Sequence, residues 1–414
     1  MLKNYFTIAI AVLRRRKFFT FISLFGISFT LTIIILITSF LNHFFSASYP
    51  DTNRDRELYI LDIKMTSAKG NLFKGQMSAY YFDQYVSKLQ PYGKIAMASE
   101  IKATNAYVNN KKITLNAKYT NDQFWDVFQY EFIEGRPYDK QQIATGQKVI
   151  VISDDARKSY FGDVQPVVGR SIETDNVQYR VIGVVKSVPK TLRYNYGDAF
   201  LPYTEAKENF TSRSLIGPFL GTILANSKDD LPRIQEEYRQ IVSKVQLDKN
   251  NFDHIQSYAD PYLRMFTRQT VSVNSDTDDS GVAKTFTIAG IIFLLFLLLP
   301  TLNLVNVNIS RIYERASEIG IRKAFGASSR TLVSQFIIEN IILTLIGGII
   351  GVLLAGIAIF ILNRSNIIDN LHLSINFTVL FISLLACLVF GLLSGVYPAW
   401  RMSKMNVVTA LKAH

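Results

Sequence analysis

The sequence predicts an α-helical membrane protein with four transmembrane helices and a mixed α/β, two-lobed extracytoplasmic domain between helices 1 and 2. Three observations predict it. Four long apolar stretches run roughly from Phe18 to Phe45, Thr285 to Ile309, Leu332 to Leu362 and Phe377 to Trp400. Each reaches the ~20 residues that a helix needs to cross a ~30 Å hydrocarbon core. Charge is nearly absent from the last three, Glu339 being the main exception, and a helix apolar on every face has its natural solvent in lipid. The long segment between the first two stretches is mostly polar and large enough to bury a core of its own. The chain therefore divides into residues 1–45 (N-terminus and helix 1), 46–283 (exported domain) and 284–414 (helices 2–4 with a cytoplasmic loop and tail).

Charge supports this division. Mean hydropathy is +0.15 and 49% of residues are hydrophobic, an average over a lipid-like part and a soluble one. The net charge is +12, yet Ser46 to Ala283 is near neutral, with about 30 basic and 29 acidic side chains. The excess sits beside the spans, where positive charge marks the cytoplasmic side. Arg14, Arg15, Arg16 and Lys17 precede the first stretch. Arg311, Arg315, Arg322, Lys323 and Arg330 follow the second, and Arg401, Lys404 and Lys412 follow the fourth. Both termini are expected in the cytoplasm and the large domain outside. A basic cluster abutting a span is a topology signal, so nucleic acid is not an expected partner.

The first stretch is longer than the 7–15 apolar residues of a signal-peptide core, and Ser46-Ala47-Ser48 is a weak cleavage match, so an uncleaved anchor is expected. The one cysteine, Cys387, lies in the fourth stretch. The exported domain thus has no disulfide and relies on its core.

Within that domain, strand-like runs cover Glu57–Met65, Lys148–Ser153, Tyr179–Val188 and Phe219–Ala225. An amphipathic helix follows Asp229-Asp230, with Pro232 in its first turn and Leu231, Ile234, Tyr238, Ile241, Val242 and Val245 on one face. A second helix is expected from Ser78 to Leu89. The aromatic run Phe124, Trp125, Phe128, Tyr130 and Phe132 reads first as core packing. Asn274 to Gly281, with Asp276, Asp278 and Asp279, reads as a solvated linker whose spacing misses the EF-hand pattern.

No catalytic, cofactor or metal signature is present in these residues. The four histidines, His43, His254, His372 and His414, form no ligand spacing. Gly391-Leu-Leu-Ser-Gly395 misses the nucleophile-elbow pattern by one residue. There is no G-x-x-x-x-G-K-[ST], so ATP chemistry has to come from another subunit.

The spans carry packing signals instead. Gly347/Gly351 and Gly391/Gly395 are G-x-x-x-G pairs, extended by Ala355 and Gly356, which allow close helix approach where lipid gives no hydrophobic drive for association. Asn303 and Asn306 share a face of the second span, near Pro300, and such amides call for a partner on another helix or on a second copy. Just beyond lies Glu314-Arg-Ala-Ser-Glu-Ile-Gly-Ile-Arg-Lys-Ala-Phe-Gly-Ala-Ser328. Glu318 and Arg322 stand at i, i+4, Ile312 and Ile319 give an apolar edge, Gly326 can stop the helix, and Ser328 or Ser329 can cap the next. A short charged helix is expected here, either solvated or docking a partner.

This block resembles the MacB/FtsX-type permeases of ABC transporters. Their hallmark is E-R-x-x-E-I-G-I-R-[KR]-A-x-G-A, then an apolar helix with an early Glu and a G-G-x-x-G run, here Glu339 and Gly347-Gly348-Ile-Ile-Gly351. Gly391-Leu-Leu-Ser-Gly-Val-Tyr-Pro-Ala399 and Ala410-Leu411 look like the family's closing span and tail, although Met402-Ser403 and Val407 depart from its usual Ala- and Pro-containing turn. The exported domain is similar more loosely, at Glu134-Gly-Arg136, Tyr160-Phe-Gly, Val167-Val-Gly-Arg170 and Tyr179–Val185.

The resemblance implies a MacB-like periplasmic core domain and an FtsX-like permease domain in the inner membrane. It implies a permease dimer, of identical copies or of paralogues, on a homodimer of ABC ATPases that hold ATP and Mg. A periplasmic adaptor protein and membrane lipids are further implied partners. Glu314, Arg315, Glu318, Ile319, Gly320, Arg322, Lys323 and Gly326 would form the ATPase-coupling helix. Asn303, Asn306, Gly347, Gly351, Gly391 and Gly395 would pack helices or the dimer. The implied function is mechanotransmission for efflux or for lipoprotein or peptide export; the alternative is a signalling permease that activates an envelope enzyme such as a cell-wall hydrolase.

Overall fold

A computed structural model describes residues 15, 17–67, 69, 70, 72–108, 111–248, 250–271, 279–314, 321, 325, 328–365, 373–378, 380–385, 388 and 389. The described residues fall into two compact units, one within Phe44–Lys284 and one made by the segments on either side of it.

The helical unit holds α1 (Lys17–Phe45), α8 (Val282–Glu314, whose first residues belong to the other unit) and α9 (Ser329–Arg364), numbered in chain order. Two helices, Lys17–Phe45 and Val333–Arg364, are long and apolar enough to cross a membrane, while the apolar part of α8 within the described residues is the shorter Val282–Phe296. Of the fourth stretch, residues 377, 378, 380–385, 388 and 389 are helical and the rest lies outside the described residues. Ser328 caps α9, its side chain accepting from the Thr331 amide, as the helix-start chemistry predicts.

The other unit is built on a ten-stranded sheet. At one end, β1 (Glu57–Ile60), β12 (Phe219–Ala225) and β4 (Gly93–Ser99) run antiparallel, with Glu57 opposite Leu224 and Phe219 opposite Ser99. Every residue of β1 and β12 is buried, so neither strand shows the alternation of a sheet with one solvated face. The core beside them takes Tyr81 and Phe82 of α2 (Ala79–Gln84), Val86 and Leu89 of the 3-10 turn Val86–Tyr92, and Ile234, Tyr238 and Val242 of α6 (Leu231–Ser243). Burying one large aliphatic side chain stabilises by about 1.5–3 kcal/mol, which is what holds α6 down. The Tyr81 and Tyr238 hydroxyls meet at 3.0 Å, and Tyr238 reaches Ser257 at 2.7 Å, so this core leaves neither phenol unsatisfied.

At the other end six strands close on themselves. β6 (Lys111–Thr120) pairs with β11 (Ala199–Pro202), then come β8 (Val149–Ser153), β10 (Val177–Val185), β9 (Ser171–Thr174) and β5 (Lys102–Val108), which pairs back to β6. β7 (Phe132–Gly135) pairs with β10 at Gly183–Val185, beyond the stretch that β9 pairs. Thr104 and Thr174 share a 2.6 Å side-chain hydrogen bond across the β5–β9 seam. Closure leaves the ring without an open edge. β6 belongs to both ends, meeting β4 at Thr120 opposite Ala98.

Three expectations are corrected in detail. Glu57–Met65 is two strands, not one: β1 joins the large sheet, and β2 (Ile63–Thr66) pairs with β3 (Leu72–Gly75) and β13 (His254–Gln256) in a separate three-stranded sheet. The Ser78–Leu89 helix is a short α2 capped by Ser78, then a 3-10 turn that runs through Pro91, because proline cannot donate into an α-helical ladder. The Tyr179–Val188 run starts earlier and ends at Val185. The aromatic run does pack as core: Phe124, Trp125, Phe128 and Tyr130 are buried together with Phe200 and Tyr138, with Trp125 and Phe200 centroids 5.3 Å apart.

Candidate functional site

Residues that could pass force or motion lie at two places, one in each unit. The first is a seam between α9 and α1. A Cβ placed on Gly347 would fall 2.8 Å from Ile27 Cγ2, and one on Gly351 would fall 2.9 Å from the Ser28 carbonyl oxygen and 3.0 Å from Leu31 Cβ. The obstacle at Gly351 is backbone, which cannot swing aside, so glycine is required for this approach. Thr32 Oγ1 lies 2.7 Å from Ser28 O in its own helix and 3.1 Å from Gly351 O across the seam. A Cβ on Gly348 would meet only the tip of Leu384, whereas Gly356 faces open space. Gly347 and Gly351 thus lie against α1 and Ala355 is fully buried, while Gly356 faces open space.

Among the described residues of α9, Gln335, Glu339, Asn340 and Thr344 are buried polar groups. Gln335 Nε2 donates to Glu339 Oε1 at 3.2 Å, one helical turn away. Glu339 is 2% exposed within an apolar helix, a setting where an ionisable group is costly. Nearby, Leu24 of α1 packs with Ile338, Ile342, Leu343 and Ile346 of α9.

The second place is the root of the exported domain, where its chain begins and where it prepares to leave. Arg54 Nε donates to Asp51 Oδ2 at 2.8 Å, and its Nη1 donates to the carbonyls of Phe44 at 2.9 Å and Ser46 at 3.0 Å. A single guanidinium thus closes the C-terminal end of α1, where carbonyls lack intrahelical partners. Its other face covers the Tyr262 ring, 4.0 Å from the centroid. The Tyr59 hydroxyl lies 2.9 Å from Asp51 Oδ2 and 2.7 Å from Glu57 Oε2, and both carboxyl groups are wholly buried. Two adjacent buried carboxylates do not both ionise. Burial first, and then the Asp51 carboxylate, push Glu57 up to about 9, so it holds a proton at neutral pH. Tyr59 and Asp260 exchange backbone hydrogen bonds of 2.8 and 3.0 Å, and Arg268 pairs with Asp260 at 2.7 Å. The incoming residues 51–60 and the outgoing residues 258–268 are thereby laced together.

Lys118 is a further buried charge, lying where β6 meets β4. Its Nζ donates to Ser99 O at 3.1 Å, and desolvation lowers its pKa to about 7. Neither the root nor Lys118 is visible in sequence spacing. Asp51, Arg54 and Glu57 at intervals of three are the only local signal, and it does not reveal Tyr262 or the α1 carbonyls.

Of the predicted coupling residues, Glu314 is the last described residue of α8, while Arg315, Glu318, Ile319, Gly320, Arg322, Lys323 and Gly326 lie outside the described residues. Asn303 and Asn306 stand on the helical backbone of α8. Gly391 and Gly395 lie outside the described residues. Among the described residues, no group of three or more His, Cys, Asp or Glu side chains is arranged to hold a metal.

Two family models match the chain: a MacB-like periplasmic core domain over residues 20–241 and an FtsX-like permease C-terminal domain over residues 290–407. Among relatives, an uncharacterized ABC transporter permease, YknZ of Bacillus subtilis, is 25% identical over 323 residues, covering 77% of this chain and 75% of that protein. The macrolide export ATP-binding/permease protein MacB of Salmonella typhimurium is 24% identical over 332 residues, 80% of this chain and 48% of that protein. The chain thus spans three quarters of YknZ and about half of the MacB relative. Among solved structures, the extracellular domain of YknZ aligns with a TM-score of 0.33 at 14% identity, over 48% of this chain and 98% of that one. The periplasmic region of MacB from Actinobacillus actinomycetemcomitans gives 0.34 at 16%, over 54% and 94%. With one family model covering residues 20–241 and the other covering residues 290–407, this chain belongs to the MacB/FtsX-type ABC transporter permeases.

Proposed function

We propose that this chain is the non-catalytic permease subunit of an ABC transporter, crossing the inner membrane four times with both termini in the cytoplasm and residues 46–283 outside. It couples ATP hydrolysis on a separate ABC ATPase homodimer, which holds the ATP and Mg, to movements of the exported domain. The observation that carries this reading is the pairing, on one chain, of a MacB-like core domain with an FtsX-like permease domain.

The helix from Glu314 to Gly326 is the coupling element. Glu314, Arg315, Glu318, Arg322 and Lys323 offer alternating charge around the apolar Ile319, a pattern suited to salt bridges about a central anchor. Closure of the ATPase dimer displaces this helix. The α1–α9 seam supports a rigid relay, because backbones in direct contact move together. The spans offer few polar groups to line an aqueous path, which favours work done outside the membrane. The size of the exported domain favours export of a hydrophobic molecule, a peptide or a lipoprotein, with a second permease copy or paralogue and an adaptor as partners.

The test is co-purification with the ABC ATPase of the same operon, followed by ATPase assays in proteoliposomes. Glu318→Lys or Arg322→Glu is expected to lose the permease-dependent stimulation of ATPase activity. Full stimulation in both variants, or no association with the ATPase, would sink the assignment. Dependence of a cell-wall hydrolase on the same stroke would replace export with signalling.

A further inference from the structure

We infer that the cleft between α2 and the helix Lys140–Ala144, both within the exported domain, is a binding site for an organic cation, an ammonium group carried on an apolar body. The cavity holds about 370 Å³, a size that small-molecule sites share. Its floor is apolar: Phe82, Ile95, Met97 and Ile143 line it and are otherwise buried. Two carboxylates, Asp83 and Asp122, stand on its walls, and among the described residues neither belongs to an ion pair. Burial first, and then the Asp83 and Asp122 carboxylates, push the Tyr203 phenol up, so both charges act on one ring that lines the same cleft. An aromatic ring, two anionic acceptors and an apolar floor are together the chemistry that holds an alkylammonium group.

These groups are held in place before any ligand arrives. Asn121 Oδ1 accepts from the Met97 amide at 3.0 Å and its Nδ2 donates to Ile95 O at 2.8 Å, while Gln123 Oε1 accepts from the Ile95 amide at 2.8 Å. Both neighbours of Asp122 are thus fastened to β4, and Asp122 itself makes no side-chain hydrogen bond among the described residues. Asp83 comes from α2, whose start is fixed by the Ser78 cap. The Tyr203 ring stands edge-on between Phe210 and Phe219, with centroids 6.0 and 6.1 Å away. A ligand entering such a site loses little free energy in ordering it. The one cation on the lining, Lys140, is exposed and also outside any ion pair among the described residues. Two carboxylates against one ammonium leave the cleft net negative, which selects a cation over an anion of the same shape. Binding here needs neither ATP nor an ATPase, so its failure would leave the coupling assignment standing, and loss of coupling would leave the cleft standing.

The experiment is a fluorine NMR titration of the full chain in phosphatidylcholine nanodiscs, with empty nanodiscs as the blank. The probes are para-fluorophenethylamine and para-fluorophenylpropionate, close in size and opposite in charge. The amine is expected to broaden on the protein beyond the blank, and the acid is not. Asp83→Asn combined with Asp122→Asn keeps the shape of both side chains and is expected to weaken amine binding by about tenfold. Lys140→Gln removes the opposing charge and is expected to tighten it by about threefold. Equal binding of amine and acid, equal affinity of the parent and the double variant for the amine, or broadening no greater than in empty nanodiscs would each overturn the inference. Lys140→Gln alters an exposed side chain and reads the site independently of any loss of stability in the double variant; an affinity there that is unchanged or weaker would overturn it as well.

Discussion

Replacing Gly351 by alanine tests the α1–α9 seam most directly. The new Cβ falls 2.9 Å from Ser28 O and 3.0 Å from Leu31 Cβ, where ordinary contacts lie nearer 3.5–4 Å. Neither atom can yield without moving a backbone, so the helices must part by about half an ångström or more. Overpacking of this kind costs typically 1–3 kcal/mol. Separation also lengthens the 3.1 Å Thr32–Gly351 contact, and a cross-helix hydrogen bond in a membrane averages about 0.6 kcal/mol. Together the loss is about 2–3 kcal/mol, a factor of roughly 30–150 in the packing equilibrium. The control is Gly356→Ala, which enters open space and exchanges glycine for the best helix former, so it is expected to be neutral or stabilising by up to ~1 kcal/mol. Steric-trapping unfolding of the full chain in bicelles reads both. Equal stability of the two variants would refute the claim that Gly351 sits against the backbone of α1.

The domain root and Lys118 carry further expected outcomes. Arg54→Met leaves the buried Asp51 carboxylate without its cation and the Phe44 and Ser46 carbonyls without their donor; breaking a buried pair from one side costs about 3–5 kcal/mol, read as a lower unfolding temperature of the full chain. Glu57 holds its proton more tightly folded than unfolded, its ordinary pKa of 4.5 being raised to about 9. Its contribution is therefore fully present below about 4.5 and lost as pH rises toward 9. Glu57→Gln, neutral at every pH, should flatten that decline in denaturant titrations at pH 5, 7 and 9, and an unchanged slope would count against a protonated Glu57. Lys118 has the opposite sign: with the folded pKa lowered from 10.5 to about 7, its burial penalty is largest below 7 and is relieved as pH rises toward 10.5. Lys118→Met should thus raise stability relative to the parent more at pH 6 than at pH 10, and the reverse order would discard the buried-cation account.

Much of this protein is legible from local pattern. Apolar length located α1 and α9, and the Pro232-led amphipathic run located α6, because each depends on side chains close in the chain. The family too is legible, in the charged block after α8. Partners distant in sequence are not. That Gly351 meets Ser28 and Leu31, that Arg54 covers Tyr262 and closes α1, and that β1 and β2 part into different sheets are choices among many pairings that the same residues permit. Only packing of the whole chain selects among them: a buried charge or a bare helix backbone is tolerated solely where one particular neighbour, tens or hundreds of residues away, arrives to satisfy it.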